Sequence, residues 1–407
     1  MTKKQRTGTK RKNRHECAYF ARRGRHGMKI LLVVDQFFSA NNGMTISARR
    51  FAETLQKHGN EVRIVSTGKE GDTEYLMKKQ YIPFFDKLVS SQGMTFAKPN
   101  KKILKAAVEW ADVVHLLTPF VLSHTAVKIL QKSGVPYTAA FHVQPENITA
   151  SIHLANVDFI NRAIYKWFRF FLYNKCGHIH CPSQFIAGEL KKNGYSAKIH
   201  VISNGIDPDF AYRRLPKPAA LKDKFVILMT GRLSREKRQD VLIDAVKRSR
   251  HADKIQLILA GQGPRAEALR RRAADLKNPI IIQFFSKNDL LNTIAFCDLY
   301  VHAADMEIEA MSCMEAFACG LVPVIADSPK SATPQFALDQ RSLFPAGNSR
   351  ALAERIDYWL EHEDERIRMG KRYSEHAKNY RLDDCVSAVE AMFRESIEEN
   401  QTHGTAG

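Results

Sequence analysis

A series of short apolar runs, each closed by a polar or glycine-containing loop, restricts this chain more than any other feature. Ile30 to Val34 ends at Asp35. After a polar loop to Gly43, Thr45 to His58 shows helical spacing (Ile46, Phe51, Leu55) up to Gly59, and Val62 to Ser66 is the next run. This is a β-α-β pattern, which requires a parallel sheet because only a crossover helix can return the chain in the same direction. Runs recur at Val113–Leu117 and Tyr137–Phe141, with a helical segment from Ser123 to Lys132 between them. Asp209 to Lys222 is unpatterned and contains Pro and Lys, as a linker does. The rhythm then restarts at Val226–Met229, Ile255–Ala260, Ile280–Phe284, Leu299–Ala303 and Leu321–Ala326. Two successive Rossmann-like, doubly wound α/β domains are expected. Their boundaries are 28–206 and 223–380, joined by a linker at 207–222. A last helix at 381–400 is long enough to pack back on the first domain.

Charge is unevenly placed. The net charge is +19, of which residues 1–27 carry +9, with ten Lys or Arg against one Glu. This leader has no apolar core, so it is not a secretory signal. It reads as a disordered extension, or as sequence upstream of a true start at Met28, where a strand begins at once. A basic arm for nucleic acid or an anionic membrane is the alternative. No apolar run approaches the roughly 18 residues of a spanning helix. The seven Cys include no CxxC pair, which fits reduced thiols and a cytoplasmic setting.

The candidate chemistry sits at the ends of the apolar runs. Glu307 and Glu315 stand eight residues apart in Met306–Gly320, where Met311 to Cys319 is rich in helix formers and Gly320 suits the position just past a helix end. On a continuous helix eight residues rise about 12 Å, the reach from a sugar ring to the ribose of a nucleotide-sugar. A helix N-terminus between the two carboxylates would aim NH groups at a diphosphate. Arg232 and Lys237 follow a strand end in a loop that contains Gly231 and opens a helix. They form a cation pair where a pyrophosphate would sit. Gly43 would allow close backbone approach to a phosphate, and His142 lies just past a strand end beside Gln144, Glu146 and Asn147. His178 and His180 in Cys176–Cys181 match no zinc spacing and alternate as on a strand, so they read as structural. Phe159 to Tyr173 combines Arg162, Lys166 and Arg169 at helical spacing with Ile160, Ile164, Trp167, Phe168 and Phe171. It reads as an interfacial helix, or as an ordinary amphipathic one with its rings in the core.

Taken in order, these segments resemble the GT-B glycosyltransferases of family 4. The pieces are the glycine loop after the first strand, Pro182-Ser183, Ser203-Asn-Gly-Ile-Asp207, Gly231-Arg232 with Lys237, Ala260-Gly261 with Gly263, and Glu307-x7-Glu315 followed by Ala-Phe-Ala-Cys-Gly. The resemblance covers about Met28 to Ile397 and implies two domains facing a cleft, with a nucleotide-sugar donor, most often a UDP-sugar, on the second. It also implies retention of anomeric configuration and no cofactor or metal. By match to the motifs, Arg232 and Lys237 stabilise the diphosphate leaving group, Glu315 holds the ribose and Glu307 the transferred sugar. His142 then lies near sugar and acceptor, while Gly43, Gly231 and Gly263 line the donor. In two respects the chain departs from the family: Ala310 stands where Gly is usual, and Glu309 competes with Glu307 for the sugar-facing role. The Glu-Ile-Glu form is also similar to diacylglycerol glucosyltransferases, which points to a lipid acceptor and a peripheral place on the inner face of the cell membrane, with 159–173 against anionic lipid. A soluble or polysaccharide acceptor and a sugar-nucleotide epimerase remain open. A nucleic-acid-binding protein is disfavoured because no such motif is present.

Overall fold

The computed structural model describes residues 27–38, 43–81, 94–150 and 157–404. Residues 1–26 of the basic leader and Asn41-Asn42 of the first loop lie outside the described residues.

The apolar runs form the strands. β1 (Lys29–Gln36), β2 (Glu61–Thr67), β3 (Tyr75–Lys79), β4 (Ala97–Lys98), β5 (Val113–Leu116), β6 (Tyr137–Ala140), β7 (His178–Cys181) and β8 (Lys198–Val201) make one sheet in the order β4-β3-β2-β1-β5-β6-β7-β8. β9 (Phe225–Thr230), β10 (Ile255–Ala260), β11 (Ile281–Gln283), β12 (Leu299–His302), β13 (Pro323–Asp327) and β14 (Leu343–Pro345) make another, ordered β11-β10-β9-β12-β13-β14. In each sheet the first strand lies inside, with β2 and β5 flanking β1 and β10 and β12 flanking β9. That reversal of strand order is the doubly wound arrangement expected, and it leaves a crevice beyond the carboxyl ends of the strands at the switch point.

The strands read as unbroken apolar runs because both of their faces are covered. Ile30, Leu31 and Val33 in β1, and Val226, Ile227 and Leu228 in β9, are all fully buried. The chain divides into two compact units. One runs to Ala140 and includes Phe171–Ile179 and the chain from Val389; the other comprises Phe141–Phe170 and His180–Ala388. Every candidate residue except Gly43 falls in the second unit.

The helix Met311–Ala318 ends as its sequence demands. Gly320 has φ +93°, its NH bonds to the Phe317 carbonyl at 3.0 Å, and the Leu321 NH bonds to Ala316 at 3.2 Å. These two bonds are the Schellman motif, and a Cβ at position 320 would lie 2.6 Å from the Tyr212 ring. The same helix begins only at Met311, and Glu307 sits on an isolated bridge to Ser331. The 12 Å rise expected between Glu307 and Glu315 assumed one continuous helix and does not apply. A helix N-terminus does lie between the two residues, as expected.

Candidate functional site

The loop after β9 is built by backbone interlock. The Gly231 NH bonds to the Ala260 carbonyl at 3.0 Å, and the Leu233 NH to Gln262 at 3.0 Å. A Cβ on Gly261 would fall 1.9 Å from the Gly231 oxygen, and one on Gly263 would fall 2.4 Å from the Leu233 oxygen. Gly263 is therefore needed to seat the two loops together, whatever it does for a ligand. Gly231 itself has φ +149°. After it the chain makes a 3₁₀ turn, Arg235–Lys237, and leaves through Arg238 in the left-handed region at φ +54°. The Asp305 NH donates to the Glu236 carbonyl at 2.8 Å, and Arg238 donates to the Asp305 carboxylate at 2.8 Å. These bonds clip the loops after β9 and β12 together.

Across that clip, Lys237 donates from Nζ to Glu307 Oε1, and His302 Nε2 lies 3.1 Å from the same oxygen. Burial alone would raise the Glu307 carboxyl, but the Lys237 ammonium and His302 outweigh it and pull the pKa down to about 2. Glu307 is thus a carboxylate throughout the neutral range. The backbone beside it is fixed by the Ala332 NH, which donates to the Glu307 carbonyl at 2.8 Å, and by Ser183 Oγ, which donates to the Ile308 carbonyl at 2.7 Å.

Glu309, only two residues on, faces elsewhere. Its Oε2 accepts from the Asn204 backbone NH at 2.9 Å and from Asn204 Nδ2 at 2.7 Å, with the side chain 3% exposed. Burial raises its pKa to about 7 against the opposing bonds from Ser203 and Asn204. The two carboxylates that compete in the sequence are thus separated by their partners, Glu307 with the Lys237 cation and Glu309 with the Ser203-Asn204 turn. Ala310, where the sequence departs from glycine, has φ +70° and ψ +61°. The position does ask for a glycine-like backbone, and an alanine takes it under strain.

The remaining candidates are distributed as follows. Arg232 follows Gly231, and its carbonyl accepts from Gln239 Nε2 at 2.8 Å. Glu315 lies half-buried on the helix Met311–Ala318. His142 follows β6, is half-buried, and stands edge-on to His180 with ring centroids 5.2 Å apart. Burial and the neighbouring His180 push its pKa down to about 3, so the ring is neutral near pH 7. Gln144 donates to the Lys330 carbonyl at 3.2 Å. Gly43 opens the helix Gly43–Lys57, and a Cβ there would meet no atom within 4 Å. His178 and His180 are each 2% exposed on β7, and His180 Nε2 lies 2.8 Å from the Ile202 carbonyl oxygen. The structure therefore brings Lys237, Glu307 and the Gly231 turn together. Among the residues around them, His302 escaped the sequence reading, because a single histidine inside an apolar strand looks like core.

Beside the clip lies a cavity of about 630 Å³ in the second unit, lined in part by Arg235, Arg238, Arg265, Lys330, Glu236 and Asp305. Cations outnumber carboxylates there, as an anionic ligand requires.

The helix Asp158–Phe171 has an unexpected outer face. Phe159, Trp167 and Phe170 are 75%, 48% and 79% exposed, while Tyr165 and Phe168 are buried. Arg162 and Lys166 share the exposed side. Arg169 does not: it donates to the Asn193 carbonyl at 2.8 Å and the Gly194 carbonyl at 3.2 Å. Among the described residues no helix is long and apolar enough to cross a membrane.

The chain resembles known proteins along most of its length. The family model for glycosyl transferases group 1 matches residues 213–376, and that for Glycosyltransferase Family 4 matches residues 41–210. A GDP-mannose-dependent alpha-mannosyltransferase of Corynebacterium glutamicum is 26% identical over 322 residues, which is 75% of this chain and 73% of that protein. An alpha-monoglucosyldiacylglycerol synthase of Streptococcus pneumoniae is 26% identical over 322 residues, 74% of this chain and 71% of that one. Among solved structures, the sucrose-phosphate synthase of Thermosynechococcus elongatus superposes with a TM-score of 0.72 over 90% of this chain and 98% of its own, at 16% identity.

Proposed function

The chain belongs to the GT-B glycosyltransferases of family 4 and transfers a sugar from a nucleotide-sugar; from that premise we propose that it moves a hexose, with retention of configuration, onto a membrane lipid such as a diacylglycerol. The observation that carries the reading is the Lys237–Glu307 pair at the carboxyl ends of β9 and β12, where a doubly wound sheet keeps its ligand. In this reading Arg232 and Lys237 neutralise the charge that builds on the diphosphate as its bond to the anomeric carbon breaks, with no metal required. Glu307 accepts hydrogen bonds from hydroxyls of the departing sugar, and Glu315 does the same for the ribose. The acceptor oxygen bonds to the anomeric carbon from the face that the diphosphate leaves, and its proton goes to the diphosphate. His142, neutral near pH 7, serves as a hydrogen-bonding group near sugar and acceptor and carries no charge there.

The lipid acceptor is supported by the aromatic stripe of Phe159, Trp167 and Phe170 with Arg162 and Lys166 beside it. Such a surface suits a bilayer interface, where rings sit at headgroup level and cations meet anionic lipid. A UDP-sugar is our choice of donor. A GDP-sugar is the second reading, favoured by the naming of the corynebacterial relative.

A thermal-shift screen with UDP-, GDP- and ADP-sugars, followed by product analysis with diacylglycerol, tests the proposal. Stabilisation by one nucleotide series and a glycolipid product are expected. Transfer to water or to soluble glycans alone, with diacylglycerol left unmodified, would overturn the lipid reading.

A further inference from the structure

His302 closes β12 and is fully buried. Its Nε2 lies 3.1 Å from Glu307 Oε1, and its Nδ1 lies 3.4 Å from the hydroxyl of Tyr300, two residues back on the same strand. The Tyr300 hydroxyl in turn lies 3.1 Å from Ser312 Oγ, at the start of the helix Met311–Ala318. Glu307 is an ionised acceptor, so the only stable contact with it is Nε2–H donating. A neutral ring must then accept at Nδ1, from Tyr300. A charged ring donates at Nδ1 instead, and Tyr300 passes its own hydrogen to Ser312. In either state Nε2 keeps its proton.

Lys237 also ends on Oε1. Among the described residues, both bonds to this carboxylate fall on that one oxygen, and Oε2 takes part in none. A carboxylate pinned through one oxygen has its rotation fixed, and its other oxygen is presented in one direction. We infer that His302 is a positioning residue: with Tyr300 and Ser312 behind it, it locks the Glu307 carboxylate so that Oε1 stays with Lys237 and Oε2 faces the hydroxyls of the transferred sugar. This rests on the reading of Glu307 as the sugar-facing group. Its advantage is preorganisation. With Oε1 held by both Lys237 and the buried His302 ring, the carboxylate meets the sugar already oriented.

The test uses the full chain with UDP-glucose and GDP-mannose as donors and UDP and GDP as binding probes. His302→Leu should lower kcat about 10–100-fold, by analogy with the loss when a partner that orients a metal ligand is removed. Its affinity for UDP or GDP, by calorimetry, should stay within about twofold, because the nucleotide end of the site is untouched. His302→Gln, which can place an amide NH near the position of Nε2–H, should recover kcat to within about threefold of the parent. Parent-like turnover in His302→Leu overturns the inference, as does a His302→Gln variant that melts normally yet is as slow as the leucine variant. If the leucine variant does not fold, the glutamine variant and Tyr300→Phe decide. The latter should slow turnover and leave nucleotide affinity unchanged, and a parent-like Tyr300→Phe removes the proposed lock. A parent that turns over neither donor counts against the proposed function instead. In that event nitrogen-15 NMR of histidine-labelled protein still decides, with the His302 signal assigned by its loss in His302→Gln. A proton on Nε2 is expected, and a ring protonated on Nδ1 alone would overturn the inference.

Discussion

Lys237 and Glu307, from the loops after β9 and β12, form an ion pair whose side chains are 19% and 13% exposed. A pair this sheltered is screened little by salt, and loss of one partner leaves the other charge poorly compensated. Lys237→Ala should therefore cost about 2–4 kcal/mol in kcat/KM, the range for removing one preorganised electrostatic stabiliser. It should also release the Glu307 carboxyl upward from about 2, since burial then opposes ionisation with only His302 against it. Residual activity should acquire an acid limb, falling as pH drops and Glu307 protonates. Near-normal turnover in a folded Lys237→Ala protein would dismiss the assignment.

The three glutamates of Glu307–Glu315 should separate by what each variant loses. Glu315→Ala is expected to weaken binding of the free nucleoside diphosphate. Glu307→Ala should spare it and abolish transfer. Glu309→Ala should act mainly on stability, because its carboxylate holds Asn204. Calorimetry with UDP and GDP, run beside a transfer assay, distinguishes the three; equal losses of nucleotide affinity in the first two would count against split roles.

Much of this arrangement was legible in the sequence, and the rest was hidden for identifiable reasons. Central strands such as β1 and β9 announce themselves because parallel strands covered on both faces must be apolar throughout. β3, β4 and β8 were missed. They are short and contain Lys78, Lys79, Lys98 and Lys198, so they lack the apolar signature. The loop cations and glutamates stood out because they follow strand ends, where an open α/β sheet keeps its ligands. His302 gave only two local hints, its two-residue offset from Tyr300 and its five-residue lead on Glu307, and nothing in those spacings separates a relay from core packing. Arg169 shared the helical spacing of Arg162 and Lys166. Its capture by the Asn193 and Gly194 carbonyls depends on a segment more than twenty residues away, which periodicity cannot see.

Ala310 offers a backbone test. An L-residue in the left-handed region costs roughly 1–2 kcal/mol, and glycine in its place returns about 0.4–1 kcal/mol of that to unfolded-chain entropy. Ala310→Gly should thus raise stability by about 0.5–1 kcal/mol in denaturant unfolding. A lower midpoint would mean that the buried alanine methyl contributes more than the strain it imposes.

Glu309 should make stability depend on pH in a defined direction. Its folded pKa of about 7 lies above the ordinary glutamate value of 4.5. The protonated side chain is therefore favoured in the fold, and its contribution is full below about pH 4.5 and lost as pH rises toward and through 7. Glu309→Gln removes the titration while keeping an acceptor for Asn204. The melting temperature of the variant relative to the parent should climb between pH 5 and pH 8, and a pH-independent difference would show that Glu309 is already ionised at the lower end.

The outer face of the helix Asp158–Phe171 supplies the last prediction. Arg162 and Lys166 remain on the exposed side, and each cation near an anionic surface contributes about 1 kcal/mol. Two cations alone would give weak, salt-sensitive attachment. Phe159, Trp167 and Phe170 add apolar area that salt does not screen, since their exposed rings can enter the headgroup region. The chain from Met28, freed of its basic leader, should co-sediment with anionic vesicles and far less with neutral ones. Phe159/Trp167/Phe170→Ser should abolish binding even at low salt, because charge alone is insufficient. Arg162/Lys166→Glu should abolish the preference for anionic lipid through reversal of the local field. Arg169→Glu is a control of a different kind: it should lower the melting temperature, because this guanidinium satisfies two backbone carbonyls inside the fold. If the parent chain ignores anionic vesicles, the aromatic stripe is not a membrane surface and a soluble acceptor becomes the better reading.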